Sequence, residues 1–180
     1  IDVDKVVKTV RETVKKGWCF FNFQFSNKNT MFSKSTEYAL RATIFIARQS
    51  SIHKKVNIRE IAEGIGAPKY FTAKILQQLS NKNVQIVSSI SGPAGGFFIK
   101  EEASKRPIYN VIEAMQETHI IEDCVLGLPN CNEKTPCSMY KPYKDVKKAL
   151  LSIFKDKSIQ EIANSKDRLI PIKIPNSKKP

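Results

Sequence analysis

The chain has 180 residues, with 30 Lys and Arg against 17 Asp and Glu, a formal charge of +13 and a pI of about 9.6. That size allows one domain with a proper core, or one domain with arms, and the basic balance suits a polyanionic partner such as nucleic acid. Four cysteines are too few for a disulfide scaffold, no apolar run approaches the roughly 18 residues of a membrane span, and no secretory leader pattern is recognisable. A cytoplasmic protein with no membrane partner is expected.

Residues 1–30 read as an extension of unclear role. Val3, Val6, Val7, Val10 and Val14 keep helical spacing, and Phe20, Phe21, Phe23 and Phe25 follow as a strand-like run that includes the neighbourhood of Cys19. Ser33 to Gln49 is predicted as a helix capped by Ser35 or Thr36, with Leu40, Ile44 and Ala47 as its inward stripe.

The central stretch, Val56 to Ile99, predicts a winged helix-turn-helix within residues 31–117. Ile58, Ile61, Ala62 and Ile65 make one apolar face, Asn57 and Glu60 are placed as a capping box, and Gly66 suits the left-handed stop. Pro68 then opens a second helix that should bury Phe71, Ile75 and Leu79. Its other positions, Lys69, Tyr70, Thr72, Lys74 and Gln77, are the candidate DNA contacts, because the second helix of this motif enters the major groove. Ile86-Val87 and Phe97-Phe98-Ile99 read as strands around a turn-rich Ser91-Gly92-Pro93-Ala94-Gly95-Gly96. This hairpin is the wing, with Ser91 and Gly92 at its tip as further DNA contacts.

Ser104 to Glu117 is predicted as one helix with Val111, Ile112 and Met115 inward. Residues 118–140 lose periodicity and form a candidate sensor loop. Residues 141–164 hold a long amphipathic helix from about Pro142 to Lys155 and a short one capped by Ser158 and Glu161, and 165–180 is a basic, disordered tail. Val146, Leu150 and Ile153, with Ala149 and Phe154, give the long helix a wide apolar face that can pack on its own domain or on a twin helix in a dimer, and a dimer seam is expected. The expected class is mainly α with a small β-hairpin wing and a long C-terminal dimerisation helix.

Cys124, Cys131 and Cys137 all fall in the loop, separated by six and five residues. Structural zinc sites use closer Cys-x-x-Cys pairs, whereas wide, uneven spacing suits wrapping around a larger cluster. Three thiolates leave a fourth ligand open among Tyr140, His119, Glu37, Cys19 or an exogenous group, and three plain reduced cysteines are the alternative. An enzymatic thiol is disfavoured, since the two histidines, His53 and His119, form no evident nucleophile–base pair.

Ser-Thr-Glu-Tyr-Ala-Leu-Arg at 35–41, the helix-turn-helix at 57–79, Ser-Gly-Pro-Ala-Gly-Gly-Phe at 91–97 and three cysteines before a long helix resemble the Rrf-two family of winged-helix transcription regulators. That family includes the iron–sulfur cluster regulator, the nitric-oxide-sensing repressor and the cysteine-metabolism repressor. The resemblance spans Met31 to about Leu169. It implies a homodimer on double-stranded DNA at an imperfect palindrome, whose three cysteines hold a [2Fe–2S] or [4Fe–4S] cluster. Two positions depart from the family. Tyr140 stands where some members place a histidine ligand, so Glu37, supplied by the partner subunit as in other members, is the expected fourth ligand. Ser91 stands where many have a basic residue before the wing. A winged-helix regulator without a metal, its cysteine loop structural or partner-binding, is the alternative.

Overall fold

The computed structural model describes residues 30–51 and 53–165. The expectations for the N-terminal extension, including Cys19, and for the basic tail lie outside the described residues, apart from Thr30 and Ser165.

Helix α1 (Lys34–Gln49) runs through the middle of the fold. Its cap is Ser33, whose hydroxyl accepts the Thr36 N–H at 3.3 Å and whose own N–H donates to the Glu117 carboxylate at 3.0 Å. The cap lies two or three residues earlier than Ser35 or Thr36, because Ser33 is the residue with extended backbone ahead of the first turn. The buried face is Thr36, Ala39, Ala42, Thr43 and Ile46. Leu40, Ile44 and Ala47 are half-buried at its margins. A helix with neighbours on several sides has a broad apolar band, and the sequence pattern located one edge of it.

Helices α2 (Ile58–Ile65) and α3 (Lys69–Leu79) form the helix-turn-helix. Asn57 Oδ1 accepts from Arg59 N (2.9 Å) and Glu60 N (3.0 Å), and the Glu60 carboxylate accepts from Asn57 N (3.1 Å), completing the expected capping box. Gly66 stops α2 at φ 65°. The packed face of α3 is Thr72, Ile75, Leu76 and Leu79. Phe71 is only half-buried and stands edge-on to Tyr38, ring centroids 5.9 Å apart.

The wing strands are β1 (Ser88–Ile90) and β2 (Gly96–Phe98), antiparallel with Ser89 opposite Phe97. The first begins two residues later than the apolar run implied. Ile86 and Val87 are buried anchors whose N–H groups both donate to the Leu79 carbonyl, so they tie the wing to the end of α3. Val56 pairs with Phe97 on the other side of β2 through N–H···O bonds of 3.0 and 2.8 Å. Gly95 is obligatory in the turn, since a Cβ there would lie 2.2 Å from the Ile90 carbonyl oxygen.

The single helix expected over 104–117 is instead α4 (Glu101–Ser104) and α5 (Tyr109–Ala114). Pro107 interrupts them and forms a bridge to Ser158, flanked by Ile108 N to Lys157 O and Ile159 N to Arg106 O, both 2.9 Å. A short helix, α6 (His119–Glu122), opens the region read as a loop. The long helix α7 spans Tyr140–Lys155, and α8 spans Ile159–Asn164 with the expected Ser158–Glu161 capping box. Arg48, at the end of α1, donates to Ala163 O (2.7 Å) and Ser165 O (3.1 Å). The guanidinium thus meets the orphan carbonyls at the C-terminal end of α8.

A main core joins α1, α2, α3, the wing and α8. A smaller one, Phe32, Ile112 and Ile121, is backed by Leu150, Leu151 and Phe154 of α7. No residue of α7 is fully buried in the protomer.

Candidate functional site: a recognition helix and a thiol triad

On α3, Lys69, Tyr70 and Gln77 are exposed, Tyr70 to 84%, and Lys74 is exposed beside them. Thr72 is not. Its side chain is fully buried, and its hydroxyl donates to the Pro68 carbonyl at 3.1 Å. Thr72 therefore belongs to the packed face beside the half-buried Phe71, which packs against the same core, and it is not a DNA contact. Ser91 and Gly92 are exposed at the wing tip. Exposed cationic and amphipathic side chains on the second helix, next to a protruding hairpin, suit phosphate and base-edge contact.

The second site is built by the loop between α6 and α7. The Sγ atoms of Cys124, Cys131 and Cys137 lie within 4.8 Å of one another, with Cys124 and Cys137 at 3.7 Å. Each cysteine is half-buried. Local backbone chemistry produces the convergence. Gly127, at φ 68°, turns the chain so that its N–H donates to Cys124 O at 2.8 Å. Asn132 Oδ1 accepts from Lys134 N and Thr135 N, folding the second arc as an Asx turn. Tyr140 N donates to Cys137 O at 3.1 Å, so the last cysteine leads directly into the first turn of α7.

The N–H groups of Leu128 and Leu126 point at Cys124 and pull its thiol down to about 7. A thiolate accepting N–H bonds is favoured over the thiol. For Cys131 the N–H of Cys137 also pulls downward, but burial and the neighbouring thiols outweigh it and hold the group above its ordinary value. The triad opens into a pocket of about 300 Å³ whose lining includes Met139, Tyr140, Tyr143, Lys147 and Leu151.

Glu37 stands apart from this group in the protomer. Its carboxylate lies 2.6 Å from Lys34 Nζ and 3.7 Å from Arg41 Nη2. Among the described residues the three thiols are the only cluster of potential metal ligands. Three convergent soft sulfurs, one of them readily deprotonated, fit a thiophilic metal centre. Sequence reasoning did not single out Met139, Tyr143 and Leu151, nor the amides of Leu126 and Leu128. The Gly127 turn shortly after Cys124 was the available signal for the amides.

Residues 32–165 match the Rrf2 family, described as iron-dependent transcriptional regulators. The chain belongs to the Rrf2 family. Over 145 residues it is 30% identical to an Aquifex aeolicus (strain VF5) protein named "Putative HTH-type transcriptional regulator", covering 79% of this chain and 98% of that one. It is 23% identical over 133 residues to the HTH-type transcriptional regulator IscR of Serratia proteamaculans (strain 568), covering 74% and 79%. In fold, this Rrf2 regulator resembles CymR, the global cysteine regulator of B. subtilis, with a TM-score of 0.57 and 16% identity over 76% of this chain and 98% of that one. It also resembles IscR of T. potens, with a TM-score of 0.54 and 16% identity over 74% and 86%. The winged-helix Rrf2 fold and a role in transcription regulation, not catalysis, follow. No helix among the described residues is long and apolar enough to cross a membrane.

Proposed function

We propose that this Rrf2 regulator is a cytoplasmic, homodimeric, sequence-specific DNA-binding protein that reads iron–sulfur, redox or nitric-oxide status through an iron–sulfur cluster. The observation that carries this reading is the convergence of Cys124, Cys131 and Cys137 within 4.8 Å, from positions spread over 14 residues of chain. The family's description as iron-dependent supports it, as does the similarity to IscR. The three thiolates would hold a [2Fe–2S] or [4Fe–4S] cluster, and Glu37 of the partner subunit would supply the fourth ligand. A bound cluster supplies an electron- and ligand-responsive centre.

The protein's own part is positional. Cys137 lies just ahead of α7, so ordering the triad orders that helix. Val146, Leu150 and Ile153 would form the seam between two α7 helices. Ile153 is 51% exposed in the protomer, and exposed apolar surface of this kind favours association. The dimer fixes the distance between two copies of α3, hence the half-site spacing of an imperfect palindrome. Lys69, Tyr70, Lys74 and Gln77, with Ser91 and Gly92 of the wing, would contact DNA.

Anaerobic reconstitution with iron and sulfide tests this. A brown protein with visible charge-transfer bands, lost in Cys131→Ala and more labile in Glu37→Ala, is the expected result. Colourless, iron-free protein with the same DNA affinity before and after treatment refutes the sensor reading and leaves a metal-free regulator.

A further inference from the structure

Glu122 ends α6, two residues before Cys124, and three interactions converge on it. Its carboxylate faces the Tyr109 side chain. Its Oε1 lies 3.1 Å from Lys155 Nζ, at the far end of α7. Its main-chain carbonyl accepts from Lys147 Nζ, about two turns into the same helix. The Lys155 ammonium also sits 4.3 Å from the centre of the Tyr109 ring, closing a Tyr–Glu–Lys triangle.

Tyr109 belongs to the winged domain. It is only 9% exposed, and Val111 and Ile112 beside it on α5 are fully buried. The end of α5 is bonded in turn to the recognition helix: Gln78 Nε2, on α3, donates to Ala114 O at 2.8 Å. A continuous set of interactions thus runs from the root of the cysteine loop, through Glu122 and Tyr109, along α5, to α3. The same carboxylate holds α7. Glu113 also faces Tyr109, but it lies on α5 itself and so cannot link α5 to the loop.

We propose that Glu122 is the positioning residue that couples the thiol site to the recognition helix. When the loop rearranges around its ligand, Glu122 moves with it, and its two side-chain partners carry that displacement to α5 and α7 together. An ordered loop and an ordered α3 then favour each other, which is what coupling between two sites requires. This inference rests on the sensor reading above.

The test uses the full chain, metal-free and after anaerobic reconstitution with iron and sulfide. Iron content and affinity for a selected DNA duplex are measured separately for wild type, Glu122→Ala, Glu122→Gln and Tyr109→Phe. The quantity read is the ratio of DNA affinities with and without the cluster. That ratio cancels any uniform loss of stability or affinity, which a merely structural role would produce. In wild type it should differ from one by about tenfold, within the usual span of allosteric coupling. In Glu122→Ala it should fall to about one while iron still binds, and Glu122→Gln, which keeps an acceptor for Tyr109, should restore part of it. Hydrogen exchange gives a second readout: loading should change protection of α5 amides in wild type, and the change should stop at α6 in Glu122→Ala. If that variant does not fold, Tyr109→Phe, which removes only the hydroxyl, takes its place. A wild-type-sized ratio in a folded, iron-loaded variant overturns the role of Glu122 alone. A wild-type ratio of one with iron bound overturns the sensor reading, and this coupling with it.

Discussion

Thr72→Val separates the two possible settings of the recognition helix. In the structure the Thr72 side chain is fully buried and its hydroxyl donates to Pro68 O at 3.1 Å. That carbonyl already accepts the Thr72 N–H at 2.9 Å. Replacing the hydroxyl with a methyl group therefore strands no acceptor. One buried hydrogen bond is removed, worth about 1 kcal/mol, and one buried methyl is added, worth about 0.8 kcal/mol. The two nearly cancel, so stability should stay within about 0.5 kcal/mol of wild type, a change of about 2 °C in Tm. The assays are calorimetry and fluorescence anisotropy with a duplex enriched from a random pool. DNA affinity and its salt slope should match wild type, whereas Lys74→Ala should lower the slope by about one, the value of a single phosphate interaction. A tenfold weaker affinity in a Thr72→Val protein of unchanged Tm would refute the packing and place residue 72 on the DNA face.

Gly95→Ala should distort the wing turn, because its Cβ would meet the Ile90 carbonyl oxygen at 2.2 Å; exchange protection should fall across β1 and β2 while α1 keeps its protection. Leu150→Asp should yield monomers or insoluble protein by sedimentation, since it introduces an unpaired charge beside the Ile112–Ile121 cluster and on the proposed seam; an unchanged dimer constant would remove the seam. Tyr109 is pushed up to about 12 by burial and by the neighbouring Glu122 carboxylate. A raised folded-state value stabilises below the free tyrosine value and is lost as pH climbs through the folded one. Stability should therefore drop between about pH 10 and 12, and Tyr109→Phe should remove that part of the drop in chemical-denaturation curves.

The helix-turn-helix was legible because its signals are local. The Asn57–Glu60 box, the Gly66 stop and Pro68 each act within one turn of chain, and each stands as read. What failed had one local cause and one long-range cause. Thr72 was misplaced on the outer face of α3 because it is polar, yet it is buried beside Phe71, and its hydroxyl finds its partner one turn back at the Pro68 cap. The helix expected over 104–117 is split because Pro107 pairs with Ser158, far along the chain. The cysteines announced a site by residue type, by their bunching in one loop and by the family resemblance. Their convergence depends on Gly127, the Asn132 turn and the first turn of α7 acting together, and no spacing rule contains that.

Helix α7 has sixteen residues and buries none of them fully in its own protomer. Isolated helices near that length are only marginally stable in water. Its order is drawn in part from Leu150, Leu151 and Phe154 packed on the Ile112–Ile121 cluster and, under the seam proposed here, in part from a second copy. On that seam, dilution would loosen α7 and with it the turn that holds Cys137. The number of copies in the cell would then bias how firmly the thiol sites are held, which would make the abundance of the protein a second signal that the same helix reports.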